Sequence, residues 1–124
     1  MSSSRDRLAA LIAPMLPVTW RRRIETHTVR AMNTLAAPTV FIDYTSIAHD
    51  GMPPGQLIDG FEVALVSHLT DYGKAEDAID PVAGAFVRAI DSSSEVAWSA
   101  ANKRAIGDYL GWVITVQLLT PTKE

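Results

Sequence analysis

The sequence contains no cysteine. That removes disulfide staples, thiol nucleophiles and thiolate metal sites, and it fits a reducing compartment. Aromatic residues make up only 7% of the chain, and they are not interleaved with basic residues in the way that single-stranded nucleic acid requires. Positive charge is not in excess. Lys and Arg number 11 against 14 Asp and Glu, a net charge of −3, so the overall balance points to neither sequence-specific nucleic acid nor an anionic membrane. Long hydrophobic runs are missing too. The longest uncharged apolar stretch, Tyr109 to Thr120, falls short of the roughly 20 residues of a membrane-spanning helix. Internal repeats and low-complexity segments are also absent. The opening MSSSRDRLAALIAPML has positive charge before an apolar segment, but Asp6 stands among the arginines and Pro14 breaks the apolar part. It reads as a helix of the folded protein, not as a signal peptide.

Recognisable catalytic sets are missing as well. His27, His49 and His68 show no ligand spacing such as HExxH, and no serine sits in a GxSxG elbow. The seven glycines are scattered, so none forms a phosphate-cradling loop. Asp71, Glu76, Asp77 and Asp80 lack the spacing and terminal Glu of a calcium loop and read as the acidic start of a helix. The residues give no catalytic, cofactor-binding or metal-ligating assignment, and the expectation is a protein that is not an enzyme and has no cofactor.

What the chain does have is 48% apolar residues over 124 positions, enough for one core and a single domain over residues 1–124. Its organising stretch is Pro38 to Thr70. Val40, Ile42 and Tyr44 alternate with Phe41, Asp43 and Thr45, and Phe61, Val63 and Leu65 alternate with Glu62, Ala64 and Val66. Period-two alternation predicts two strands with one face buried. The loop between them, Asp50, Gly51, Met52, Pro53, Pro54 and Gly55, has the residues that reverse a chain. The result is a long β-hairpin, with Asp43 on the face opposite Ile42 and Tyr44. Across this hairpin His49 and His68 read as a cross-strand polar pair.

Ahead of the hairpin, Ser3 and Asp6 have capping-box spacing, and Leu8, Leu11, Ile12 and Met15 form one helical stripe. Pro14 ends that helix near Ala13. Residues 17–26 read as a short strand with Trp20, Ile24 and Thr26 on one face, and His27 to Ala37 reads as loop. After the hairpin, Ile79, Val82, Phe86 and Ile90 share a stripe that predicts a second helix, either kinked at Pro81 or starting there. It stops at Ser92 to Ser94. The remainder reads as strand, Gly107-Asp108 turn, strand. The last strand is apolar on both faces, which places it centrally or under a covering neighbour. The fold class is therefore α+β: a mainly antiparallel sheet with a long hairpin and two helices packed on it, in the order α-β-β-β-α-β-β. The expected core is Leu8, Leu11, Ile12, Val40, Ile42, Phe61, Val63, Leu65, Ile79, Val82, Phe86, Ile90, Trp112, Ile114 and Val116.

With these elements in order, WRRRIE, PTVFIDYTSI, FEVALVSHLT and GDYLGWVITVQL together resemble the tail terminator proteins of long-tailed, non-contractile bacteriophages, especially those infecting actinobacteria. The likeness runs from Leu8 to Leu119 as a pattern of lengths and hydrophobicity. It implies a structural virion protein that forms a hexameric ring on the head-proximal end of the tail tube. Such a ring stops tube polymerisation and presents the head–tail joining surface. The implied partners are further copies of the chain, the major tail tube protein and a head completion or connector protein. DNA passes through the ring, and the location is the virion after assembly in the host cytoplasm. Pro81 and the arginine density at residues 21–23 depart from the pattern. Two alternatives remain: another head–tail connector or completion protein, and a small cellular α+β domain that binds a ligand or acts as an enzyme. On the first reading, loop 50–55 and Arg21, Arg22 and Arg23 are the candidate assembly surfaces. Asp71, Glu76 and Asp77 of a neighbouring copy are the expected partners of the arginines.

Overall fold

A computed structural model describes residues 4–21, 24–25, 35, 37–48 and 56–121. Helix α1 (Ser4–Ile12) ends where expected, one residue before a 3-10 turn (Ala13–Met15) that holds Pro14. The missing amide hydrogen of proline is tolerated in such a first turn. The stretch expected as a strand over 17–26 divides instead into a helical turn, α2 (Val18–Arg21), and a two-residue strand, β1 (Ile24–Glu25). Pro17 explains the difference. Its carbonyl accepts from Trp20 N at 2.9 Å and Arg21 N at 3.1 Å, closing a turn that buries Trp20.

Strands β2 (Thr39–Ala48) and β3 (Gln56–Val66) form the hairpin, pairing antiparallel with Val40 opposite Leu65, Ile42 opposite Val63 and Tyr44 opposite Phe61. A bulge between Tyr44 and Ser46 shifts the register in the outer half. Helix α3 (Tyr72–Asp91) follows, then β4 (Val96–Ile106) and β5 (Tyr109–Pro121). The sheet order is β1-β2-β3-β5-β4, antiparallel throughout except for β1, which joins β2 in parallel. So β5 is interior, as its two apolar faces suggest. The β4–β5 turn is Gly107-Asp108, with Gly107 at φ 61. A positive φ at the first of two turn residues suits a hairpin and needs glycine.

Helix α3 runs unbroken through Pro81. Proline deprives the carbonyl four residues earlier, at Asp77, of its donor. Both Pro81 and Asp77 are exposed, so the proline falls on the side of the helix that solvent can reach, where a lost backbone bond costs least. The N-cap is Asp71, whose side chain accepts from Lys74 N at 2.9 Å.

The helices cover one face of the sheet. Leu8, Ile12, Leu16 and Trp20 from the N-terminal segment and Ile79, Ala83, Phe86 and Ile90 from α3 meet Val40, Ile42, Phe61, Val63, Leu65, Ile114 and Val116. Among the residues expected in the core, Leu11, Val82 and Trp112 are only half-buried against it. The reverse face has its own smaller cluster, with Phe41, Ala64, Val66, Ile106 and Val113 buried and Leu35 and Tyr109 alongside. Leu35 N donates to Tyr109 Oη at 3.0 Å. Alternation along the strands suggested one buried face; here both faces of the sheet have apolar clusters.

Candidate assembly surfaces

Among the described residues no helix packs on the reverse face of the sheet, and that face has an opening of its own. A cavity of about 270 Å³ is floored by Phe41, Ala64, Ile106 and Val113. Its rim is charged: Asp43 on β2, Glu62 on β3 and Arg104 on β4. Asp43 and Glu62 are direct register partners. Like charges placed directly opposite on neighbouring strands repel. None of the three rim residues makes an ion pair among the described residues. Asp43 lies opposite Ile42 and Tyr44 on the strand, as its position in the alternation required.

The outer half of the hairpin is a second surface. Thr45, Ser46 and Ile47 are exposed in succession, and Ile47 at 63% is the most exposed large apolar residue among those described. Its register partner is Asp59, which is buried. The Asp59 carboxylate accepts from Ser4 Oγ at 2.9 Å and from the Tyr44 hydroxyl, tying the first turn of α1 to the hairpin. Burial, with the hydrogen bond to Asp59 and its charge behind it, pushes the Tyr44 hydroxyl up to about 12.

Between α3 and the sheet lies a polar latch. Lys103 Nζ on β4 sits 2.8 Å from Glu76 and 3.0 Å from Asp80. It also lies 5.5 Å from the centre of the Trp112 ring. Trp112 Nε1 donates to Asp80 at 2.9 Å. The Trp112 hydrogen bond, helped by Lys103, holds the Asp80 carboxyl below the usual range, while its two carboxylate partners raise Lys103.

The expected interface residues separate into three groups. Arg22, Arg23, Asp50, Gly51, Met52, Pro53, Pro54 and Gly55 lie outside the described residues, as do Ser3, Thr26, His27 and His49. Arg21, Asp71 and Glu76 have internal work: Arg21 Nε donates to the Ala13 and Leu16 carbonyls at 2.9 Å each, Asp71 caps α3, and Glu76 holds Lys103. Asp77 is exposed on α3. His68 lies past the end of β3, whose last residue Val66 pairs with Thr39, and the expected pairing with His49 falls outside the described residues. Among the described residues, no group of three or more His, Asp or Glu side chains is gathered as a metal site would require. No described helix is long and apolar enough to cross a membrane.

No protein-family model matches the chain, and no curated protein is significantly similar to it. The groove was the feature sequence reasoning missed. Its signal was present, since once β2 and β3 are paired, Asp43 and Glu62 fall opposite each other.

Proposed function

We propose that this is a structural virion protein of the tail-terminator type. It forms a hexameric ring on the head-proximal end of a tail tube, stops polymerisation there and offers the surface to which the head is joined. The observation that carries the reading is that the described helices pack on one face of the sheet alone. Helices cover one face, while the reverse face keeps an apolar floor ringed by Asp43, Glu62 and Arg104. A ring of identical subunits needs two different patches on each subunit, and the groove and the exposed hairpin arm are two such patches. The segments that carry the family resemblance also fall together in space. PTVFIDYTSI contributes β2, FEVALVSHLT β3 and GDYLGWVITVQL β5, three adjacent strands of the sheet.

Two other cavities, of about 380 Å³ beside Ser93 to Ala97 and about 360 Å³ between α3 and Trp112, give the ligand-binding alternative its support, and the groove is smaller than either. At about 270 Å³ it is smaller than the roughly 300–1,000 Å³ of ordinary small-molecule sites. That size suits a side chain of a partner better than a substrate.

Complementation tests the assignment. A phage lacking its own terminator and supplied with this chain should regain tails of normal length joined to heads. Overlong tubes or unattached tails, with the chain present and folded, would count against it.

A further inference from the structure

We infer that the sheet continues from one copy to the next, with the outer edge of β4 pairing with the outer edge of β2 on a second copy. The inference rests on the ring reading above and specifies its contact. β4 ends the sheet: it is 11 residues long, and no described strand lies on its far side. At the opposite edge β1 covers β2 only at Val40 and Phe41, so residues 42–48 have no described strand beside them. Backbone N–H and C=O groups along such edges lack strand partners, and an added strand supplies them. The two edges stand at opposite ends of the strand order and do not meet within one open sheet.

Direction agrees with this pairing. β2, β3, β5 and β4 alternate along the sheet, so β4 runs opposite to β2. A rotation about an axis parallel to the strands keeps the direction of every strand and each face of the sheet. It therefore sets β4 of one copy beside β2 of the next in antiparallel order. Such a contact joins two different patches of identical molecules and closes into a ring when the rotation allows.

Charge selects these two edges over symmetric pairings. β4 holds Lys103 and Arg104 and no acid, whereas Asp43 is the one charged residue of β2. Joining β4 to β4, or β2 to β2, gathers charges of one sign across a ladder; joining β4 to β2 brings opposite charges together. Lys103 is already held by Glu76 and Asp80. Arg104 and Asp43 make no ion pair among the described residues. Both lie on the reverse face, where they line the same groove. Because the rotation preserves that face, Arg104 of one copy arrives on the side where Asp43 of the next one stands.

Charge exchange and a proline test the contact. At concentrations where the protein associates, Asp43→Arg and Arg104→Asp should each weaken self-association about tenfold by sedimentation, with thermal midpoints close to that of the natural chain. An equimolar mixture of the two should associate as the natural chain does, because alternating copies put opposite charges at every contact. Ala105→Pro tests the backbone. Ile106 and Tyr109 flank the two-residue turn as a facing pair, so the Ala105 amide points away from β5. Proline is tolerated there in an edge strand, and this variant should keep its thermal midpoint and lose association. Rings formed equally well by all three variants would overturn this contact and leave the ring reading standing. A mixture that stays as weak as its components would overturn the pairing of Arg104 with Asp43, and full association by Ala105→Pro would overturn the strand pairing. Open filaments of the natural chain would uphold the contact and count against the ring. A natural chain that is monomeric at every concentration and leaves tube ends bare would overturn both.

Discussion

Trp112 on β5 and Asp80 on α3 are joined by a hydrogen bond of 2.9 Å from the indole Nε1 to the carboxylate. This bond changes what Trp112 does. Sequence patterning placed it among the core residues, yet its ring is half-buried, with its apolar edge on the core and its polar edge at the helix. Trp112→Phe keeps much of the apolar contact and loses the bond, so we expect a cost of about 1 kcal/mol, as for a hydrogen bond to a partly exposed charge. The acid side of the stability curve should also change. The folded state depresses the Asp80 carboxyl, so this stabilisation is present above the ordinary aspartate range and is lost as pH falls through the lower folded value. Thermal midpoints between about pH 2 and 6 should fall less steeply for Trp112→Phe than for the natural chain. Parallel curves would show that the bond contributes nothing.

A second titration belongs to Tyr44. Its hydroxyl is pushed up to about 12 by burial and by Asp59, so the folded state holds a proton that the unfolded chain releases near 10. Its contribution is complete below the unfolded value and is lost as pH rises through the folded one. Ultraviolet titration should show one tyrosine ionising about two units later than an ordinary one, and Tyr44→Phe should remove that late step. The same variant leaves buried Asp59 with one donor fewer, a loss of about 1–3 kcal/mol.

Gly111 is fixed by space. A Cβ there would lie 2.5 Å from Ile106 Cδ1 and 3.0 Å from the Leu65 carbonyl oxygen. The isoleucine can turn aside, but the backbone oxygen cannot. Gly111→Ala should cost about 1–3 kcal/mol by overpacking, measured by urea unfolding. A midpoint equal to that of the natural chain would mean that β3 and β5 separate more easily than their register suggests.

The residues proposed for assembly should behave differently from these. Replacing residues 50–55 with Asn-Gly, a two-residue hairpin turn, should leave the thermal midpoint close to that of the natural chain and abolish complementation. Changing Arg22 and Arg23 to Ser should do the same. Adding Arg21→Ser should lower the midpoint slightly, because Arg21 Nε holds the Ala13 and Leu16 carbonyls. Normal complementation by both variants would move the assembly surface elsewhere.

Much of this fold is legible in the residues. Alternation from Val40 to Tyr44 and from Phe61 to Leu65 gives both strands and their facing sides, and the two-sided apolarity of Val113 and Ile114 gives the interior place of β5. Gly107 marks its turn. Legibility fails where a local pattern is short or where the deciding partner is remote. Four residues at Val18–Arg21 fit either period, and only the Pro17 carbonyl settles them as a helical turn. Pro81 reads as a break because sequence does not say that it falls on the side of the helix that solvent can reach. Asp71 and Glu76 read as surface charge, and their roles depend on Lys74 N and on Lys103, the latter 27 residues away from Glu76. The groove needs the pairing of three strands before its rim can be named.

Ring formation itself is a separate expectation. The described surface has few large exposed apolar residues, Val18, Ile47 and Tyr72, so association should be weak when dilute and strengthened by a template. Native mass spectrometry should show the 13.5 kDa chain mainly as a monomer at low concentration, with a species of six chains growing in as concentration rises. A dimer that stays stable across the whole range would argue for a symmetric interface.

The most direct measurement is made on tubes. Tail tubes polymerised from the cognate major tail protein are imaged by negative stain, with the purified chain added at the start or left out. The account predicts shorter, uniform tubes that each carry one added ring at a single end, and no further growth when fresh tail protein is supplied. Tubes that lengthen equally with and without the chain, and show no added density at either end, would contradict it.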